Sequence, residues 1–321
     1  MLNKTYAGFL SGLVVAVLMG MASLAHADVY PPWSQGQNNP VTDRGLEFTV
    51  PEVDNLPDFH GNPIQPALAI FVGGNYFFAM APLVHAFENL HPELKGRIYY
   101  ETIPPGLVAE QIEKGGTVTV GNMTWTVQAD VYAAGMKRVT EMSHKGYLDG
   151  PVVPYATNTL TIMVPKGNPA HIHGLADLAG KDVMLVMPNP QFEGIGRQIK
   201  ASLEKAGGTK LEQAVYEDKV KEGKTLLTHI HHRQSPMSLM SGKAQAGVTW
   251  ISEARFQEMV GNPIEHVAIP DNQNMTAVYA AGVVKGARNP AAAKAWVDFL
   301  HAPEGMAILE KYGFKPYRPQ D

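Results

Sequence analysis

Between residues 67 and 313, short apolar runs alternate with segments whose apolar residues recur at helical spacing, and Gly or Pro marks most of the boundaries. Residues 67–72 form an apolar run closed by Gly73-Gly74. Phe77, Met80, Ala81, Val84 and Phe87 then follow a helical period, which predicts a helix from near Asn75 to just before Pro92. A strand over 97–101, a turn at Pro104-Pro105-Gly106 and a helix over 107–114, stopped by Gly115-Gly116, repeat the rhythm. Such alternation predicts an α/β fold with largely parallel sheets, because parallel neighbours need a crossover between them.

The second half keeps the same order. A strand over 159–164, a short helix at Leu175–Ala179 and a strand over 182–187 precede a helix defined by Ile195, Ile199, Leu203 and Ala206 and closed by Gly207-Gly208. Residues 225–232 alternate like a strand, and Ser235-Pro236 supplies an N-cap and a first-turn proline for a short helix that Gly242 ends. A strand over 244–250 follows. Asn289-Pro290 opens a helix through Leu300, and Pro303 opens another through Tyr312 with Gly313 as its stop. The chain exceeds a typical domain of about 100–200 residues, so two lobes with separate cores are expected.

Residues 1–27 read as a signal peptide: one Lys and no acidic residue, a short apolar core, and Ala25-His26-Ala27 at the cleavage site. The apolar core is shorter than the roughly 20 residues that span a bilayer, which favours cleavage over a retained anchor. Residues 28–66, rich in Pro, Asn and Asp, read as an irregular arm with a short strand at 46–50, packed on the body through Trp33 and Phe48. The net charge of −4 carries no basic block, which excludes nucleic acid as a partner. With no cysteine, there are no disulfides, thiolate metal sites or cysteine nucleophiles. Gly-x-Ser-x-Gly, Gly-x-x-x-x-Gly-Lys and His-Glu-x-x-His are all missing, so nothing marks a hydrolase, a nucleotide enzyme or a zinc protease.

Helix amino termini near Asn75, Gly106, Gly194 and Ser235 converge on the carboxyl edges of the sheets, where unpaired N–H groups and the positive dipole end favour an anion. Gly73, Gly74 and Gly106 serve either as turn residues or to let backbone approach a ligand closely. Tyr76, Trp125 and Trp250 either stack on a ligand or belong to the core. Arg233 directly precedes a helix and presents a planar fork, either to a carboxylate or oxyanion ligand or to a surface or inter-lobe salt bridge. Glu193 opposes an anion unless it pairs with Arg197 or Arg233. On a strand His229 and His231 share a face, so with His232 or another third residue they form an alternative site for Zn or Cu, against a structural role for the cluster.

Several local patterns occur together and in order: Gly73-Gly74-Asn75-Tyr76, Pro104-Pro105-Gly106-Leu107, Ala129-Asp130-Val131, Tyr155-Ala156-Thr157-Asn158-Thr159-Leu160 leading to Val164-Pro165-Lys166-Gly167-Asn168-Pro169, Ser241-Gly242-Lys243-Ala244-Gln245-Ala246-Gly247-Val248, and Glu310-Lys311-Tyr312-Gly313-Phe314. From about residue 67 to 317 the chain resembles the type II periplasmic solute-binding proteins of ABC transporters, in their molybdate-binding branch. The resemblance implies two lobes, each a largely parallel sheet flanked by helices, joined by two crossing hinge segments near 155–159 and 276–281. Lobe 1 would comprise 67–155 plus 277–321, and lobe 2 residues 156–276. It implies a monomer that performs no chemistry, uses no cofactor, captures a small anion by lobe closure and delivers it to a membrane permease. Asn75, Tyr76, Thr102, Gly106, Asn158, Glu193, Arg233, Ser235 and Trp250 are the residues expected at the ligand. The molybdate binders carry small hydroxyl residues on both first-lobe loops, where this chain has Asn75-Tyr76 and Thr102 with two prolines. An organic anion therefore fits as well as a bare oxyanion such as molybdate or tungstate. A periplasmic metal-binding protein using His229, His231 and His232, and a ligand-sensing partner of a membrane receptor, remain as alternatives.

Overall fold

The computed structural model describes residues 58–319 apart from 121, 122 and 230. The expected signal peptide, most of the arm and its strand at 46–50 lie outside the described residues.

The first lobe follows the order β1 (Phe59–His60), β2 (Leu68–Val72), α1 (Phe77–Leu90), β3 (Ile98–Glu101), α2 (Pro105–Glu113), the hairpin β4 (Thr117–Val120) and β5 (Met123–Thr126), β6 (Val131–Gly135) and α3 (Met136–His144). β2 runs parallel to both β3 and β6, and β1 adds antiparallel to β3. Every residue of the Leu-Ala-Ile-Phe-Val run is buried, as a parallel strand covered by helices on both faces requires. The buried carboxylate of Asp130 explains the Ala129-Asp130-Val131 pattern. It accepts from the Ala69 N–H at 2.8 Å and from the Arg288 N–H at 2.7 Å, fastening β2 to the segment before the C-terminal helices.

β7 (Leu148–Pro165) then leaves the first sheet and enters the second lobe, which contains β8 (Leu185–Met187), α4 (Gly194–Gln213), β9 (Thr225–Leu227), α5 (Ser235–Met240), β10 (Gly247–Trp250), α6 (Ile251–Met259) and β11 (Ile264–Ala268). β12 (Thr276–Val284) returns, and α7 (Pro290–His301), α8 (Pro303–Lys311) and β13 (Lys315–Pro316) finish the first lobe. β12 pairs with β7 antiparallel from Thr276↔Thr159 to Val284↔Leu148, while the far end of β7 pairs with β10 and β11. β8 and β9 are parallel, and Leu185 bridges in parallel to Ala246 beside β10. The helix-bearing strands are thus parallel, and the two crossing strands run antiparallel between them. Leu68, Phe87, Trp296 and Phe314 belong to the core on one side of the crossing, and Leu160, Leu185, Ile199 and Val248 to the core on the other.

Most boundaries fall where Gly and Pro put them. Asn289 caps α7 by accepting from the Ala292 N–H at 3.2 Å, and α4 breaks at Gly207-Gly208, where Gly208 has φ +69°. Other expectations differ. The buried face of α1 is Phe78, Ala79, Met80, Leu83, Val84 and Phe87, with Ala81 exposed, so the helix is rotated from the predicted phase. The strand expected over 225–232 stops at Leu227, because Thr228 and His232 both turn toward Glu193. The β4–β5 hairpin, α3, α6 and β11 are additional elements.

Glu101, fully buried at the end of β3, makes one prediction. Trp125 Nε1 donates to the Tyr99 hydroxyl, which donates to Glu101 Oε2, each at 3.2 Å. Burial lifts this carboxyl to about 8; the bonds from Tyr99 and Gln111 oppose the rise, and nearby Asp58 adds to it. The folded state therefore keeps a proton that the unfolded chain releases near 4.5. The contribution is whole below that value and is lost as pH rises toward 8. Glu101→Gln should match the parent at pH 4.5 and exceed it by about 3 kcal/mol near pH 7, read from urea unfolding at the two pH values.

Candidate ligand site

A cavity of about 1220 Å³ opens between the lobes. The start of α2 and the β6–α3 junction form one wall, and the start of α4, the loop after β9 and the β10–α6 junction form the other. Residues 276–279 of the crossing strand β12 also line it. The amino ends of α2 and α4 thus reach the space from opposite lobes, each without a side-chain cap.

A buried charge relay braces the second-lobe wall. His232 Nδ1 lies 2.8 Å from Glu193 Oε2, and its Nε2 lies 2.8 Å from Glu253 Oε1. Glu193 also accepts from the N–H groups of Asn189 and His232, at 3.1 and 2.7 Å, and from the Thr228 hydroxyl. Glu253 accepts from the Thr249 hydroxyl. Burial alone would lower the His232 pKa, but the charge of Glu253 and the bonds from both carboxylates outweigh it and lift the imidazole to about 9. His232 is therefore an imidazolium that ties the loop after β9 to the first turns of α4 and α6.

Its neighbour behaves in the opposite way. The His231 ring lies 3.8 Å from that of His232, and burial, together with the positive charges of His232 and Arg233, holds its pKa far below the usual histidine value. His231 is neutral, and its Nδ1 accepts from the Arg233 N–H at 3.3 Å, which leaves the proton on Nε2. Nε2 is buried and has no hydrogen-bond partner among the described residues. The same holds for Nε1 of Trp250, whose ring packs 6.5 Å from Tyr279. Both residues line the cavity, and a buried donor without a partner is costly unless a ligand or water meets it.

Of the residues expected at a ligand, Gly106, Glu193 and Trp250 line this cavity. A Cβ on Gly106 would meet open space, whereas one on Gly74 would lie 2.6 Å from the Thr102 carbonyl oxygen and one on Gly73 2.7 Å from Pro105. Gly73 and Gly74 therefore allow the two first-lobe loops to pack on each other. Asn75 lies in the short turn Gly74–Tyr76. Tyr76 is buried, with its hydroxyl 2.6 Å from that of Tyr155, behind Tyr279 rather than in the cavity. Thr102 is fully buried and donates to Asp58 Oδ1 at 3.1 Å. Asn158 donates to the Ser252 hydroxyl at 2.8 Å, and Ser235 is buried at the start of α5. Trp125 packs edge-on to Phe59, away from the cleft.

Arg233 is turned inward. Its Nη2 lies 2.8 Å from Asp58 Oδ1, and its guanidinium sits 4.8 Å over the Phe77 ring. Glu193 pairs with His232 rather than with Arg197 or Arg233. His229, His231 and His232 all line the cavity, but no group of three or more His, Cys, Asp or Glu among the described residues is arranged to hold a metal ion. His229 is exposed while His231 is buried, so the shared strand face is lost. Residues not anticipated from sequence include Arg138, which pairs with Glu141 at 3.1 Å, Arg197, which donates to the Pro190 carbonyl at 2.8 Å, and the half-exposed Phe192. Arg197 is expected from sequence only as a partner for Glu193, not on the cavity wall, for which its position in the first turn of α4 is the available signal.

Residues 68–315 match the family model of bacterial extracellular solute-binding proteins. The molybdate-binding protein ModA of Mycobacterium tuberculosis is 28% identical over 255 residues, covering 78% of this chain and 86% of the relative. A sulfate-binding protein of Synechococcus elongatus is 26% identical over 249 residues, covering 69% and 70%. The periplasmic molybdate-binding protein of Azotobacter vinelandii shares the fold, with a TM-score of 0.64 at 18% identity over 78% of this chain and all of that one.

Proposed function

Because this chain belongs to the bacterial extracellular solute-binding protein family, we propose that it captures a small anion in the inter-lobe cavity and delivers it to an ABC importer. The observation that carries this reading is the pair of buried N–H donors, His231 Nε2 and Trp250 Nε1, without partners among the described residues, on a cavity that two helix amino termini also reach. Residues 67–155 with 277–321 act as one body and 156–276 as the other, hinged where β7 and β12 cross; closure brings the α2 wall onto the α4 wall. The relatives' ligands, molybdate and sulfate, set the chemical class as anionic. The protein acts outside the cytoplasm after loss of residues 1–27, as a monomer that docks on a membrane permease. It catalyses no reaction.

A thermal-shift screen of the mature chain tests this. It should cover molybdate, tungstate, sulfate, phosphate, organic acids and divalent metals. A ligand that binds only the native state raises stability by about 2.7 kcal/mol at a hundred times its dissociation constant. At least one anion should shift the melting temperature and no metal should; a shift with a metal alone would replace this reading with the metal-binding one.

A further inference from the structure

We infer that the solute is an organic anion, a single acidic head group carrying an apolar body, rather than a compact inorganic oxyanion. The inference rests on the cavity being the solute site. It follows from which polar groups the protein has already engaged.

The strongest cationic fork near the cleft, Arg233, is bonded to Asp58, and so is the first-lobe hydroxyl of Thr102. Asp58 thus holds, with a carboxylate from the protein's own chain, two groups of the kind that grip an oxyanion. The buried cation next to it, His232, stands between two carboxylates. Arg138 at the rim is paired with Glu141, and Arg197 donates to the Pro190 carbonyl.

Lys137 lines the cavity as an exposed cation, while the buried side-chain donors on the cavity wall without a partner among the described residues are His231 Nε2–H and Trp250 Nε1–H. They belong to one wall, because the His232–Glu253 pair fastens the residue beside His231 to the helix that starts directly after Trp250. Two neutral N–H donors match the two oxygens of a carboxylate. A tetrahedral dianion would gain two contacts from these donors and would depend on the amino termini of α2 and α4 and on exposed Lys137 for its remaining acceptors and second charge.

The rest of the cavity fits a body attached to that head group. Leu107, Met136, Phe192, Ile195 and Val278 supply apolar wall, and Phe192 stays half exposed with nothing yet covering it. The open cleft, about 1220 Å³, has room for such a body beside the head group before the lobes close.

Calorimetric titration of the mature protein with benzoate, phenylacetate, hexanoate, molybdate, tungstate, sulfate and phosphate tests the inference. At least one carboxylate should bind saturably at one per chain, with no binding of the four inorganic oxyanions at millimolar concentration. Trp250→Phe keeps a ring but removes the donor, and should weaken that carboxylate about tenfold. The melting temperature of the unliganded variant reports whether it still folds. Binding of an inorganic oxyanion with none of the carboxylates overturns this inference and leaves the anion-binding reading standing. Silence from all seven overturns both. Unchanged carboxylate affinity in Trp250→Phe overturns the assignment of the donors.

Discussion

Asp58→Asn should destabilise the folded protein by about 3–5 kcal/mol, because it removes the buried carboxylate that faces the buried Arg233 guanidinium. Asp58 is fully buried just before β1, which pairs with β3 of the first lobe, while Arg233 sits in the turn before α5 of the second. The pair joins residues 175 positions apart and is screened from water on both sides. Coulomb attraction in such a place is strong, but so is the cost of desolvating each charge. The informative comparison is therefore among single and double variants. Asp58→Asn and Arg233→Met should each be costly in urea unfolding, and the two together should recover much of the loss. Additive losses would mean that the pair contributes nothing as a pair.

His232→Gln should cost a similar amount, about 3–5 kcal/mol near neutral pH, because it leaves Glu193 and Glu253 buried on either side of an uncharged residue. The parent also carries a pH signature that the variant lacks. The folded imidazole titrates at about 9 against 6.5 in the unfolded chain. Its contribution is complete below pH 6.5 and is lost as pH rises through 9, a total of about 3 kcal/mol. Denaturant unfolding at pH 6, 7.5 and 9 should show the parent weakening across this window and the variant nearly level, once the Glu101 contribution is removed by making both in the Glu101→Gln background. An equally steep slope in both would place the titration elsewhere.

Much of the architecture was legible because it is local. Pro290 and Pro303 start helices where a missing N–H costs nothing, and Gly207-Gly208 breaks one where a positive φ is needed. The ordered patterns from Gly73 to Phe314 pointed to the family that the comparison then supplied. The site was less legible because its groups find partners far away in sequence. Thr102 and Arg233 looked like ligand grips because nothing nearby occupied them, yet Asp58 engages both. Glu193 stood close to Arg197, but its carboxylate is met by Thr228, His232 and two backbone N–H groups. The alternation over 225–232 read as a strand, although only its first part finds strand partners. Trp250 was legible as a cleft residue from its place at the end of the Ala-Gly strand, whereas His231 lay hidden within a cluster whose members have three different environments.

The most direct test of solute capture in the cleft is tryptophan emission during titration with the best-binding member of the seven-anion panel. Trp250 lines the cavity, whereas Trp125 and Trp296 lie in the first lobe away from it. The parent should show an emission change that saturates at one ligand per chain, and Trp250→Phe, titrated to saturation, should lose it. A change of equal size in Trp250→Phe, or saturation in calorimetry with no change in the parent, would place the bound solute somewhere other than this cavity.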